Sequence, residues 1–271
     1  MQNKKLTLRP LGGLANRMLA IASAVTLSKE SSRSLTIIWE QDEKLNCPFY
    51  LLFNPIPEIE VINSATTIPL IRKIKRHLSH FSYKKIIHHD QLQTVINDKS
   101  ILSEFHHYDN ILIYGANQFY SIDRIADLFI PSNNINEQLK SMLEKFKHHT
   151  VGVHIRRTDH GPSIEKSPTR LFIKKMKEEI NNNSDTLFFL ATDDPKEELE
   201  LTEKFGQRVL TFNKTFERDS VDGIQNALVD LLCLASCSKI YGSFYSSFSY
   251  TAAQMQGAEL HVLTVDTNSQ D

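Results

Sequence analysis

The chain has 271 residues with 31 basic against 32 acidic side chains, and a net charge of -1 excludes a general nucleic-acid binder and confines any anion site to a local cluster. That length suits one large or two modest α/β domains, and two are expected, residues 1–135 and 136–271. The N-terminus lacks the apolar run of a signal peptide and no stretch is long enough to span a bilayer, so a cytoplasmic protein is expected.

Leu6 to Arg9 reads as a first strand, Leu11-Gly12-Gly13-Leu14-Ala15-Asn16 as a tight turn, Arg17 to Lys29 as an amphipathic helix and Leu35 to Trp39 as a second strand. In such a βαβ opening the glycines let backbone pass close to a guest at the helix N-terminus. Gly12-Gly13 has neither the three-glycine dinucleotide fingerprint nor the phosphate-loop ending, so a turn pair capping a core helix stays open as the other reading.

Between Val61 and His89 there is no acidic residue, while Arg72, Lys73, Lys75, Arg76, Lys84 and Lys85 are basic. Spaced by Leu70, Ile71, Ile74, Leu78 and Phe81, this stretch fits an amphipathic helix resting on anionic lipid or a phosphorylated acceptor, or else a solvated helix face. The adjacent histidine pairs at 88/89, 106/107 and 148/149 are poor chelators, because neighbours on a strand point to opposite faces. Cys47, Cys233 and Cys237 form no even framework and are read as core residues in a reducing compartment; no metal site is expected. Ile111 to Tyr114 is a further strand, Ser121 to Phe129 a helix ended by Pro131, and Ile135 to Phe146 a helix beyond the break.

The second half alternates strands with helices, which predicts a parallel, doubly wound sheet. Val151, Val153 and Ile155 give a half-buried strand that runs into His154-Ile155-Arg156-Arg157-Thr158-Asp159. Two more polar clusters follow strands: Thr192-Asp193-Asp194 after Phe188 to Ala191, and Gly242-Ser243-Phe244-Tyr245-Ser246-Ser247 after Lys239 to Tyr241. Parallel strand ends share one edge, so the three clusters can meet in one crevice. Paired guanidiniums suit a pyrophosphate, and the serine loop can offer hydroxyls and N–H groups to it. The alternatives are an ion-pair network around Asp159 and Glu165, and plain helix capping by the serines and by Asp193-Asp194. Asp230 lies in a nearly apolar helix, where a carboxylate needs a partner. Guanine, with two adjacent donors, is one candidate; a backbone N–H or an arginine is another.

These residues resemble the ordered motifs of the fucosyltransferase superfamily. The likeness is greatest to the α1,6 enzymes, including the rhizobial nodulation type, and looser to the α1,2 and protein O-fucosyltransferases. It rests on the His154 to Asp159 run, Leu190-Ala191-Thr192-Asp193-Asp194, Asp230 and Phe244-Tyr245-Ser246-Ser247. Gly12 to Arg17, and Tyr114-Gly115 with Gln118, are similar to further shared elements. The resemblance implies a GT-B fold of two Rossmann-like halves facing across a cleft, GDP-fucose held mainly by the C-terminal half, and no metal or other cofactor. It implies that Arg156 grips the β-phosphate, that His154 contacts the nucleotide, that Asp230 reads guanine and that Ser246 or Ser247 binds phosphate. Gly13 and Asp193 join this donor set, Arg157 and Asp159 brace the loop, and Asn16 lies near the reacting centre. Glu165 falls close to a base proposed in the α1,6 enzymes, with Asp42 and Glu43 as rivals. The expected activity is inverting transfer of fucose to a hydroxyl of a glycan acceptor in bacterial surface polysaccharide synthesis, with peripheral membrane contact through residues 61–89. A transferase using another GDP-deoxyhexose, or a non-catalytic GDP- or glycan-binding module, is the alternative.

Overall fold

The computed structural model of the protein describes residues 4–65, 69–92, 105–158, 160–217 and 219–265, so Asp159 and its expected bracing role lie outside it. The chain divides into two compact units, Met1–Ser132 with Arg218–Ile224, and Asn133–Glu217 with Gln225–Asp271. Each is built on its own five-stranded parallel sheet.

The first sheet has the order β3-β2-β1-β5-β4, formed by β1 (Lys5–Pro10), β2 (Ser34–Gln41), β3 (Glu60–Ala65), β4 (Lys85–Ile87) and β5 (Asn110–Gly115). β1 is buried from Leu6 onward and pairs on both sides, Leu6 with Leu35 and with Ile111. The helix that follows, α1 (Leu14–Glu30), differs from the amphipathic expectation. Fourteen of its 17 residues are buried, and small side chains such as Ala20, Ser23 and Ala24 let neighbours close on it from several directions. Ser23 Oγ accepts the Phe119 N–H at 3.1 Å, so even its polar positions are used inside.

The basic stretch is not one helix. It runs from strand β3 to α2 (Pro69–His80) and into β4. Neither edge strand was expected, because β3 is mostly exposed and shows no clean alternation, and β4 has three residues. A four-residue helix, α3 (His89–Leu92), follows β4. The helix expected over Ser121 to Phe129 shrinks to α4 (Ile125–Leu128): Arg124 is extended and Phe129 leaves helical geometry just before Pro131. Cys47 is buried in this unit, and desolvation pushes its thiol up to about 12.

The second unit begins with α5 (Asn133–Leu143) and has the sheet order β10-β9-β6-β7-β8. Its strands are β6 (Thr150–Ile155), β7 (Leu187–Thr192), β8 (Val209–Leu210), β9 (Lys239–Ser243) and β10 (Glu259–Leu263). The helices are α6 (Gly161–Lys166), α7 (Thr169–Asn182), α8 (Pro195–Phe205), α9 (Val221–Ala235) and α10 (Ser247–Gln256). Counted from β6, this is the 3-2-1-4-5 order of a Rossmann half, with its switch point between β6 and β9. β6 is buried at all six residues rather than at alternate ones. Val151, Val153 and Ile155 join a core with Phe172, Met176 and Phe188, while on the other face Gly152 lies against Leu234 and Ile240. A Cβ at Gly152 would stand 3.0 Å from Leu234, so glycine sets how closely α9 approaches. Cys233 and Cys237 are buried there, as expected of core cysteines. Among the described residues no helix is long and apolar enough to cross a membrane.

Candidate functional site

Strand register brings the three polar clusters of the second unit to one edge. Ile155 pairs with Thr192, and His154 pairs with Ala191 on one side and Gly242 on the other. Arg156, Asp193 and Ser243 therefore lie at corresponding positions beyond or at the ends of β6, β7 and β9. Ser243 accepts the Arg156 N–H at 2.9 Å and donates to the His154 carbonyl at 3.3 Å, tying β9 to β6 at the switch point. A Cβ at Gly242 would stand 2.7 Å from Ser249 Oγ, and without one α10 starts directly over the strand end.

Asp193 organises the basic pair. Its Oδ2 holds the Arg156 guanidinium and accepts the Thr158 hydroxyl at 2.7 Å, and its Oδ1 accepts the Arg157 N–H at 2.8 Å. Arg157 turns inward: it is buried, with Nε 2.6 Å from Glu197 Oε1 and Nη2 donating to Thr169 Oγ1 at 2.9 Å. Thr169 in turn donates to Glu197 at 2.7 Å, so β6, α7 and α8 share one knot. Asp193 thus holds Arg156, the Arg157 side chain is taken up by Glu197 and Thr169, and His154 lies on β6 two residues before Arg156.

His154 is buried, and its ring stacks on Phe248 with centroids 4.9 Å apart. Burial, aided by the nearby Arg156, Lys214 and Arg157 cations, pulls its pKa down to about 3 despite the opposing pull of Asp193. It therefore stands in the fold as a neutral imidazole, with Nδ1 3.5 Å from Ser246 Oγ. Ser246 is the N-cap of α10 and makes no side-chain cap bond, and Ser247 opens the helix, so both lie at its positive end. Tyr245 just before them takes a left-handed φ of 54° and is 77% exposed.

Asp230 finds neither of its anticipated protein partners. Its Oδ2 is held by Lys214, whose side chain is equally buried, and its Oδ1 is buried without a hydrogen-bond partner. Desolvation pushes the carboxyl up to about 6, with Lys214 opposing the rise. A carboxylate oxygen left over beside a buried ammonium can still take a donor from a ligand. Lys214 carried no signal in the sequence, because residues 211–217 show neither helical nor strand period. Glu197 and Thr169 were also missed, although each lies in the first turn of a helix.

In the first unit the turn makes its conformational demand at Gly12, with φ +84° and a would-be Cβ 2.7 Å from Asn16 Nδ2. Gly13 is extended, caps α1 and has nothing within 4 Å of where a Cβ would stand, so backbone there is open to approach. Asn16 Oδ1 is buried without a hydrogen-bond partner. Arg17 is fully buried; it donates to the Gly12 carbonyl at 2.8 Å, pairs with Asp42 at 2.9 Å and lies over Trp39. Asp42 also accepts N–H bonds from Lys44 and Leu45, so it is committed to this stitch rather than left for a substrate. Glu165, on α6, has a side chain 75% exposed, 3.6 Å from Lys166.

No protein-family model matches the chain, and no curated protein matches it. Solved structures do, and they define the fold: two parallel five-stranded sheets in the manner of the GT-B fucosyltransferases. The chain is similar to the crystal structure of POFUT1 in its apo form, with a TM-score of 0.63 at 12% identity over 97% of this chain and 98% of that one. It is likewise similar to NodZ α-1,6-fucosyltransferase soaked with GDP-fucose, with a TM-score of 0.61 at 18% identity over 93% and 92% of the two chains. The fucosyltransferase NodZ from Bradyrhizobium gives a TM-score of 0.62 at 18% identity over 92% of each chain.

Proposed function

We propose that this protein transfers fucose from GDP-fucose to a hydroxyl of a glycan acceptor, with inversion and without a metal ion. The observation that carries the reading is the meeting of Arg156, His154 and Ser246 at the switch point of the second sheet, in a fold shared with fucosyltransferases solved with GDP-fucose and GDP. The second unit holds the donor and the first unit the acceptor. As the bond from sugar to GDP breaks, negative charge grows on the β-phosphate. Arg156, aimed by Asp193, neutralises it, and the helix N-terminus at Ser246 and Ser247 adds N–H donors. Asp230 accepts from the guanine edge through Oδ1 while Lys214 balances its charge. His154 donates or accepts as a neutral ring. Asn16 and Glu165 are the candidate catalytic side chains, Glu165 as the base that takes the acceptor proton.

The run from Val61 to His89, which has no acidic residue, supports the reading that the enzyme works at an anionic membrane surface on the cytoplasmic side, in bacterial surface polysaccharide synthesis. Calorimetry with GDP-fucose, GDP-mannose, GDP and UDP in the presence of EDTA tests the donor site. Binding of GDP-fucose that Arg156→Ala weakens at least about a hundredfold, with none of UDP, is expected. Failure of every guanine nucleotide to bind folded protein sinks the reading. Binding of GDP without release or transfer of sugar replaces the enzyme with a binding module, and tighter binding of GDP-mannose moves the donor away from fucose.

A further inference from the structure

The first unit has polar side chains that the donor site does not use. Its sheet also changes direction, between β1 and β5, and a pocket of about 610 Å³ opens at the carboxyl ends of these strands beside Leu11 and Tyr114. Lys73, His77 and His80 line it from α2, His88 from just past β4, and His89 from the start of α3. The first three recur at i, i+4 and i+7, so they share one helix face. The imidazoles are fixed rather than loose. His80 Nε2 is 2.7 Å from Tyr114 Oη, His88 stacks flat on the Tyr114 ring with centroids 5.2 Å apart, and His89 Nδ1 accepts the Ala116 N–H at 3.2 Å. In neutral His89 that bond leaves the ring proton on Nε2.

The next face of α2 is apolar and open. Ile71, Ile74 and Leu78, continued by Phe81, are 40%, 50%, 61% and 81% exposed and fall on one stripe at helical spacing. One helix thus carries an apolar stripe beside a face of cationic and N–H donors, in a segment without a single carboxylate before Asp90.

We propose that this pocket binds the phosphate of an acceptor glycan carried on a lipid, while the α2 stripe rests in the anionic bilayer that holds the lipid. The inference rests on the transferase reading above and names its acceptor class. Phosphate suits the lining better than a neutral sugar does. Sugar hydroxyls need acceptors as well as donors, whereas phosphoryl oxygens only accept, and Lys73 with four imidazoles faces one carboxylate, Asp90, at the same pocket. Four apolar side chains give the stripe modest affinity for a membrane, and the basic residues supplement it in a salt-sensitive way.

The test is cosedimentation of the full chain with three vesicles: phosphatidylcholine alone, phosphatidylcholine with phosphatidylglycerol, and phosphatidylcholine with a polyprenyl diphosphate at the same surface charge. Wild-type protein is expected to prefer the diphosphate vesicles. Lys73→Gln/His77→Gln, both exposed positions, should lose that preference about tenfold yet still bind phosphatidylglycerol. Leu78→Ser/Phe81→Ser should lose all vesicles while still binding inorganic pyrophosphate in solution. Equal binding to both charged vesicles, unchanged by the pocket substitutions, overturns the phosphate site; no vesicle binding by wild-type protein overturns the whole proposal. A GDP-fucose titration on the same preparation separates the cases, because intact donor binding alongside either negative result leaves the transferase reading standing.

Discussion

Asp193 holds the Arg156 guanidinium from the end of the neighbouring strand, and with its other oxygen it fixes the next residue's N–H at 2.8 Å. The carboxylate therefore aims the arginine as well as pairing with it. Asp193→Asn keeps an acceptor but loses the charge, and GDP-fucose affinity is expected to fall about tenfold, further in Asp193→Ala. Calorimetry checks this. A gain in affinity would mean instead that the carboxylate competes with the donor phosphate for Arg156.

Stability should depend on pH through two buried groups of opposite sign. His154 has its pKa pulled from 6.5 to about 3, so its contribution is full above pH 6.5 and is lost as pH falls toward 3. Asp230 has its pKa pushed from 3.8 to about 6, so its contribution is full below 3.8 and is lost as pH rises through 6. His154 spans the wider range, and Tm is expected to drop on acidification from pH 6.5. In His154→Gln the drop should flatten, and between pH 6 and 4 stability should rise as pH falls; a Tm profile matching wild type would refute the assignment.

Lys214 and Asp230 form a pair in which both side chains are buried. Lys214→Met strands a carboxylate in the core and should destabilise the fold by about 3–5 kcal/mol. Adding Asp230→Asn should restore much of that loss, because the charge is then gone, but not the guanine preference. Urea melts of the single and double variants supply the stability cycle, and GDP against ADP binding supplies the specificity.

The turn before α1 separates conformation from chemistry. Gly12→Ala needs a left-handed φ and collides with Asn16, a loss of about 2 kcal/mol or more. Gly13→Ala has room and an ordinary φ, so thermal melts should hardly change. Asn16→Ala removes an acceptor that is buried without a partner, and Tm should hold or rise while transfer activity falls. A large loss of stability in Asn16→Ala would make it a structural residue.

The strand-end clusters were legible because in a parallel sheet a buried apolar run must end where polar side chains can emerge, and register then brings those ends together. Arg156, Asp193 and the Ser243 to Ser247 loop were read in this way. What was not legible depends on contacts distant in sequence. Lys214 lies in an irregular segment 16 residues from Asp230, and nothing in its neighbours marks it as buried. α1 was misread because alanine and serine count as weakly polar in a periodic pattern, whereas in the fold their small size admits close packing from several directions. β3 escaped because an exposed edge strand has no hydrophobic face to alternate.

The ends of the two sheets also bear on how the protein behaves when concentrated. A long, flat outer strand offers unpaired N–H and C=O groups to a second chain and seeds aggregation. Here one outer strand of each sheet is cut short, β4 at three residues and β8 at two, so on those sides there is little ladder for another molecule to extend. Self-association by sheet growth is left to β3 and β10. Lys85 on the short β4 edge adds a charge of the kind that discourages such pairing.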